Sequence, residues 1–354
     1  MNMTLDDKRL DAFRLTGDPE ADALVETLFG TDQKQELYMA LRCKTWEEIN
    51  TSVSYAPLND YLMKGNKLPN WANEKEMEKA TELFRSNGNE FLFMLGIVSL
   101  PYCYAAAKGA LSLYYTEKIR KNTDARLLET TAFIVEIMKP DAFKKNGVGF
   151  LALKQLRIRH AMARFYLKNI PAINEMNELP INQEDMSGTN LAFSYMAIRA
   201  MPKIGVRIPL DLANSYIHHW AVVSHLMGIE EELLPKTMKD AFHLEKKISD
   251  RQFRSSREGK ELTKQLIGHY KANIPNIATV KLIKPLVRYM VGDKVAGTIG
   301  LKDNILCDPA SRLMILLPLF KRFVFPPVQS FESIVKQIEF RLQALSKARI
   351  KEVT

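Results

Sequence analysis

Apolar residues recur along most of the 354-residue chain at the three-to-four-residue spacing of an amphipathic helix, and no stretch alternates convincingly as a strand. The pattern predicts long helices over about 90–118, 124–138, 150–169, 185–200 and 209–227, stopped by Pro140, Pro171, Pro202 with Gly205, and Gly228. Ahead of them, residues 1–85 read as polar and irregular. The asparagines and prolines of "APLNDYLMKGNKLPNWANEKE" predict loops and turns leading into a helix near residue 76. After Pro235 come a charged helical segment, a glycine-containing turn near "VGDKVAGTIGLKDN" and an amphipathic C-terminal helix, "SFESIVKQIEFRLQALSKARIKE". The expected fold class is all-α. One helical domain is expected over residues 1–354: a polar N-terminal extension (1–85) packed on a core (86–235), followed by C-terminal helices (236–354).

Composition narrows the function classes. A hydrophobic content of 46% supports a sizeable core, and 50 Lys and Arg against 41 Asp and Glu leave a formal charge of +9. That charge does not cluster: in "HLEKKISDRQFRSSREGKELTKQL" both signs alternate along a solvated helix face without a row of stacking aromatics, so no nucleic-acid partner is expected. Cys43, Cys103 and Cys307 lie far apart and form no Cys-x-x-Cys pair, which points to a reduced compartment without a disulfide framework. The acidic start "MNMTLDDKRLDAF" has no apolar signal region, so a cytoplasmic location is expected. The most apolar run, "FLFMLGIVSLPYCYAAA" at 91–107, is short for a membrane span and contains Pro101; it reads as a buried helix and leaves peripheral membrane contact open.

The candidate chemistry centres on "QLRIRHAMARFYL". Arg157, His160 and Arg164 fall within about 60° of one another on a helix, on the stripe of Leu153, Leu156 and Leu167, while Arg159 and Tyr166 point away. Cations on a buried face need an anionic partner, either internal carboxylates or a bound anionic ligand. In "DARLLETTAF", Arg126, Glu129 and Thr130 share a helix face, where Arg126 and Glu129 have the spacing of an ordinary intrahelical ion pair. In "NQEDMSGTNLAFSY", Asp185 is placed to cap the helix that carries Thr189. "YIHHWAVVSHLMG" offers His218, His219 and His225, but an i to i+7 rise of ~10.5 Å keeps His218 and His225 from sharing one metal, so packing is the favoured role. "GDKVAGTIG" lacks the Lys-Ser/Thr of a phosphate-binding loop and reads as a turn.

Taken in order, "GDPEADALVETLFG", "GIVSLPYCYAAAKGAL", "ARLLETTAFIVEIM", Arg157-x-x-His160-Ala161-x-x-Arg164, "NQEDMSGTNLAFSY" and "YIHHWAVVSHLMGIEEELLP" resemble the oxygenase family that includes the latex-clearing rubber oxygenases and the fungal MpaB type. The resemblance implies a helical fold with a globin-like core holding non-covalent haem b, and dioxygen chemistry that cleaves an isoprenoid C=C bond. It implies that His160 is the iron ligand, that Arg157 and Arg164 stand beside it to meet haem propionates, and that Arg126, Thr130 and Thr189 stabilise oxygen on the opposite face. Rubber oxygenases carry a lysine where this chain has Glu129, which instead suits a proton acceptor. With no secretion signal expected, a small or medium isoprenoid or other unsaturated lipid is the implied substrate rather than extracellular polymer. The rival readings are a haem-binding sensor or carrier without turnover, and a helical interaction protein that has lost haem. Substrate identity, oligomeric state and redox partner are not legible in the sequence.

Overall fold

The computed structural model describes residues 5–116, 123–273, 277–301 and 331–353. Cys307 and the last residues of the helix expected over 90–118 lie outside them. Among the described residues every extended element is helical, and the sole β-type contact is an isolated bridge between Ala106 and Phe253.

Helices Thr123–Ile137, Val148–Leu167 and Leu210–Leu226 stand where the apolar spacing places them. Two longer expectations are broken. The 90–118 helix becomes Gly88–Met94, a π-helical turn Leu95–Ser99, Leu100–Tyr104 and, after a break, Ala107–Tyr115. Pro101 is tolerated in the first turn of its helix, where its missing N–H has no intrahelical role, and the break falls at Ala106, whose backbone turns extended to meet Phe253. The 185–200 helix divides at Ser194, which has φ −97° and ψ −80°, into Gln183–Phe193 and Tyr195–Ala200. The run at 91–107 is mostly buried, and among the described residues no helix is long and apolar enough to cross a membrane.

The N-terminal region is far more regular than its composition predicts. It folds as Asp7–Arg14, Pro19–Gly30, Lys34–Ala40, Trp46–Ser52, Ala56–Met63 and Glu74–Ser86. Side-chain caps start several of these, with Asp6 accepting from the Arg9 amide at 2.7 Å and Asp18 from the Ala21 amide at 3.2 Å. Glu74–Ser86 is the helix expected near residue 76, and the mostly shorter helices before it leave no clear periodicity in the N-terminal region. Their stability comes from burying Leu24, Val25, Leu28, Leu37, Ile49, Leu58 and Leu62 in one cluster with Leu151, Ile158 and Ala161 of the Val148–Leu167 helix, at about 2 kcal/mol per large apolar side chain. Among the described residues of "VGDKVAGTIGLKDN", where a turn is expected, stands the short helix Asp293–Thr298, begun after Gly292 (φ 85°) and ended before Gly300 (φ 81°).

The helices group into two compact units, each assembled from non-consecutive stretches. One takes the chain up to Thr81 with Val135–Asn190 and Asn214–Leu244; the other takes Glu82–Ile134, Leu191–Ala213 and the chain from Glu245 onward.

Candidate functional site

The Val148–Leu167 helix in the first unit presents the expected face. Leu153, Leu167 and Arg164 are buried, Arg157, His160 and Leu156 half-buried, and Arg159 and Tyr166 exposed. Both arginines have internal carboxylate partners from the Pro19–Gly30 segment. Arg157 clasps Asp18 through Nε (2.6 Å) and Nη2 (2.9 Å) and reaches Glu20 at 3.1 Å. Arg164 donates to Asp22 at 2.7 Å and to the Ile181 carbonyl at 2.9 Å. Lys168 continues the series to Glu26 at 2.8 Å. The internal carboxylates that the spacing allowed for are thus present at both arginines. One guanidinium nitrogen, Nη2 of Arg164, is buried and has no partner.

Segments singled out in the sequence meet at these pairs. Gly228 (φ 79°) lies so close that a Cβ there would sit 3.2 Å from Arg157 Nε and from Asp18 Oδ2, so both its conformation and its lack of side chain are used. Gln183 donates to the carbonyls of Gly17 and Gly228 and accepts from the Glu230 amide, at 2.7, 2.8 and 2.9 Å. Ile181, whose carbonyl meets Arg164, has φ 53°, a strained conformation for a β-branched residue. Asn182 caps the Gln183–Phe193 helix by accepting from the Asp185 amide at 2.9 Å, so Asp185 is not the cap. The Asp185 carboxylate joins Glu178 and Glu184 around the buried Arg14, at 3.0, 2.6 and 3.3 Å. Burial raises the Asp185 carboxyl against the opposing pull of Arg14. Asp18, Asp22, Arg14 and Gln183 were not singled out from sequence. Their one visible signal was the acidic series Asp18, Asp22 and Glu26 at four-residue spacing, which matches the basic series on the partner helix.

The remaining expected residues divide between the units. Thr189 lies in the first; Arg126, Glu129 and Thr130 lie in the second, on the Thr123–Ile137 helix, all half-buried. The two threonine hydroxyls do not stand ready as donors. Thr130 donates to the Arg126 carbonyl at 2.9 Å and Thr189 to the Asp185 carbonyl at 2.8 Å, so each proton is engaged with its own helix. Burial pulls the Arg126 guanidinium below its usual value, and Glu129 and Tyr104 oppose that pull through their fields.

The histidine-rich segment makes packing and hydrogen-bond contacts. Trp71 sets its edge or face against His218 and His225 at centroid distances of 5.9 and 5.7 Å, and His218 accepts from the Asn73 amide at 2.9 Å. His219 is buried and bonds the Ile137 carbonyl at 3.0 Å; burial lowers it to about 4. Among the described residues no cluster of three His, Cys, Asp or Glu is placed to hold a metal.

Comparison with known proteins gives one family. Residues 101–323 match the model described as "ER-bound oxygenase mpaB/B'/Rubber oxygenase, catalytic domain". The chain is 26% identical over 273 residues to a rubber oxygenase of Streptomyces sp. (strain K30), an alignment that covers 76% of this chain and 67% of the relative. Its fold matches that of latex clearing protein LCP in the closed state with a TM-score of 0.72, at 21% identity over 92% of this chain and 90% of that one. With the family model spanning well over half its length, the chain belongs to the mpaB/rubber oxygenase family of oxygenase catalytic domains.

Proposed function

We propose that this oxygenase uses haem b and dioxygen to oxidise a C=C bond in an isoprenoid or other unsaturated lipid-like substrate, with His160 as the iron ligand. The observation that carries the reading is a half-buried imidazole on a helix tied down by paired arginines, with a buried guanidinium nitrogen, Arg164 Nη2, left open one turn away. These residues fit the group. An imidazole nitrogen suits iron, and with no cluster of protein ligands among the described residues, an iron here would arrive carrying its own macrocycle. The open nitrogen of Arg164 supplies a donor for an anionic edge of that macrocycle.

When bound, haem supplies the redox-active iron needed for dioxygen chemistry. The protein's own groups do the rest. Arg157 and Arg164, clamped to Asp18 and Asp22, fix the rotation and register of the helix that presents His160. Arg126, matched to the family pattern, contributes a positive field where negative charge develops on oxygen. Glu129 holds or accepts a proton in place of the lysine of rubber oxygenases. Thr130 and Thr189, with their protons engaged, offer acceptor oxygens. The named relative is a rubber oxygenase; for this chain an isoprenoid or other unsaturated lipid is proposed as the substrate, and Glu129 marks a difference in the chemistry around the iron.

The absorption spectrum tests the reading. Freshly purified protein should show a Soret band that responds to dithionite and carbon monoxide, and His160→Ala should lose most of it while its far-ultraviolet circular dichroism stays helical. Full haem occupancy in His160→Ala would reject His160 as the ligand.

A further inference from the structure

On the Val148–Leu167 helix, Lys154 lies among Leu151, Ile158 and Ala161, which pack into one cluster with Leu58, Tyr61 and Leu62. It is 8% exposed, unusual burial for a lysine. Its Nζ stands 4.3 Å from the centre of the Tyr61 ring, and the Arg157 guanidinium stands 5.7 Å from the centre of the same ring. Two cations thus share one aromatic side chain. The carboxylates whose fields reach Lys154 are engaged by other groups: Asp18 holds Arg157 at 2.6 and 2.9 Å, and Glu20 gives one oxygen to Arg157 at 3.1 Å and the other to Lys64 at 3.2 Å. All of these residues belong to the first unit.

The Tyr61 hydroxyl is unusual in its own right. Tyr61 is 5% exposed, and its Oη is buried without a hydrogen-bond partner. An unpaired buried hydroxyl costs about 1–3 kcal/mol, and this one sits at the rim of the ring that faces the amine. Burial raises the phenol above its usual range, so it keeps its proton at neutral pH. The amine moves the other way. Burial, and after it the charge of Arg157, lowers Lys154 to about 8 against Glu20 and Asp18, with Lys64 adding to the pull. The attraction of the ring face for an ammonium, about 0.5–2 kcal/mol, opposes that shift but is shared with Arg157. A lysine that is desolvated and set beside another cation is an activated amine nucleophile.

We propose that Lys154 is a covalent binding site for an aldehyde, with the Tyr61 hydroxyl as its proton donor. The free-base nitrogen adds to the carbonyl carbon while Tyr61 lends a proton to the carbonyl oxygen and takes one back from the nitrogen, which gives a carbinolamine. The same exchange releases the new hydroxyl as water and leaves a C=N bond to Lys154. One water is lost, and no oxidant or reductant is needed. The identity of the aldehyde, an isoprenoid or other lipid fragment, rests on the function proposed above, in which cleavage of a C=C bond yields carbonyl compounds. The capture itself needs neither iron nor dioxygen.

Reductive trapping tests this. The purified full chain is incubated under nitrogen with 3-methylbutanal and sodium cyanoborohydride, which fixes the C=N bond as a stable secondary amine, and peptide mass spectrometry reads the label at each lysine. At pH 7.5 Lys154 should be labelled at least about ten-fold faster than the exposed Lys264 and Lys294. That lead should shrink above pH 8, where exposed amines continue to gain free base and Lys154 does not. Tyr61→Phe keeps the ring and deletes the hydroxyl, so labelling of Lys154 should slow at least about three-fold. Because the hydroxyl is unpaired, the melting temperature of that variant should not fall. Labelling of Lys154 no faster than that of the exposed lysines, a lead that persists above pH 8, or full speed in Tyr61→Phe overturns the proposal. A melting temperature lowered by several degrees in Tyr61→Phe would give the hydroxyl a structural role and count against it. A protein without a Soret band whose Lys154 is still labelled first would reject the haem reading and uphold this one, so the two can fail separately.

Discussion

At the scale of single residues, the strongest device is the clasp between Arg157 and Asp18. Asp18 is 3% exposed, and burial alone would raise its pKa, but the hydrogen bonds and charge of Arg157 outweigh burial and hold the carboxyl below its usual value. A depressed carboxylate contributes stability at pH values above the unfolded-chain pKa, and that contribution is lost as pH falls toward the folded value. Asp18→Asn should therefore cost about 3 kcal/mol at pH 7, because it leaves a largely buried guanidinium with only the more exposed Glu20 for charge. In urea unfolding the gap between variant and wild type should narrow near pH 3. A gap unchanged between those pH values would mean that shape, and not charge, is what Asp18 supplies. The same substitution should loosen the helix that presents His160, read as faster loss of haem to apomyoglobin.

At the scale of elements, the π-helical turn Leu95–Ser99 makes a specific demand on position 96. A Cβ there meets the Tyr270 hydroxyl at 2.5 Å, whereas the next ring atom stands off at 3.5 Å. Gly96→Ala should therefore destabilise by about 1–3 kcal/mol through overpacking. Adding Tyr270→Phe deletes the clashing atom and should restore most of the loss, a coupling that a double-mutant cycle measures directly. Independent, additive effects would place the strain in the backbone of the turn instead. This pairing was invisible in the sequence, as was the pairing of Asp18 and Asp22 with Arg157 and Arg164. Helix existence was legible wherever a long apolar stripe repeats, as in Val148–Leu167 and Leu210–Leu226. The cationic face of the former was legible too, because leucines flank its arginines. Of the N-terminal helices only the one near residue 76, Glu74–Ser86, was legible; the shorter ones before it draw their stability from caps and from a cluster assembled with a helix about a hundred residues away. Which carboxylate meets which arginine depends on that tertiary packing, and so does the engagement of the Thr130 and Thr189 hydroxyls.

For the molecule as a whole, acid stability is set by buried groups that pull in opposite directions. His219 is 1% exposed, and burial lowers it from 6.5 to about 4 despite the bond to the Ile137 carbonyl. The unfolded chain therefore takes up this proton first as pH falls below 6.5, so stability is lost between there and about pH 4. At pH 5 the loss from this residue amounts to about 2 kcal/mol relative to neutral pH. Glu245 acts the other way. It is 6% exposed, accepts a hydrogen bond from Tyr102, and burial raises its carboxyl above the ordinary value. A raised carboxyl is protonated in the folded state before it is in the unfolded chain, so acidification through that window favours the fold. Urea unfolding at pH 7 and pH 5 separates the two contributions. From pH 7 to pH 5, His219→Gln should lose about 2 kcal/mol less stability than wild type, and Glu245→Gln should lose more than wild type, because the compensating proton uptake is gone. Parallel losses in all three proteins would show that neither group governs the acid limb, and would shift attention to Asp185, raised by burial beside Arg14, and to Asp18, which Arg157 holds low.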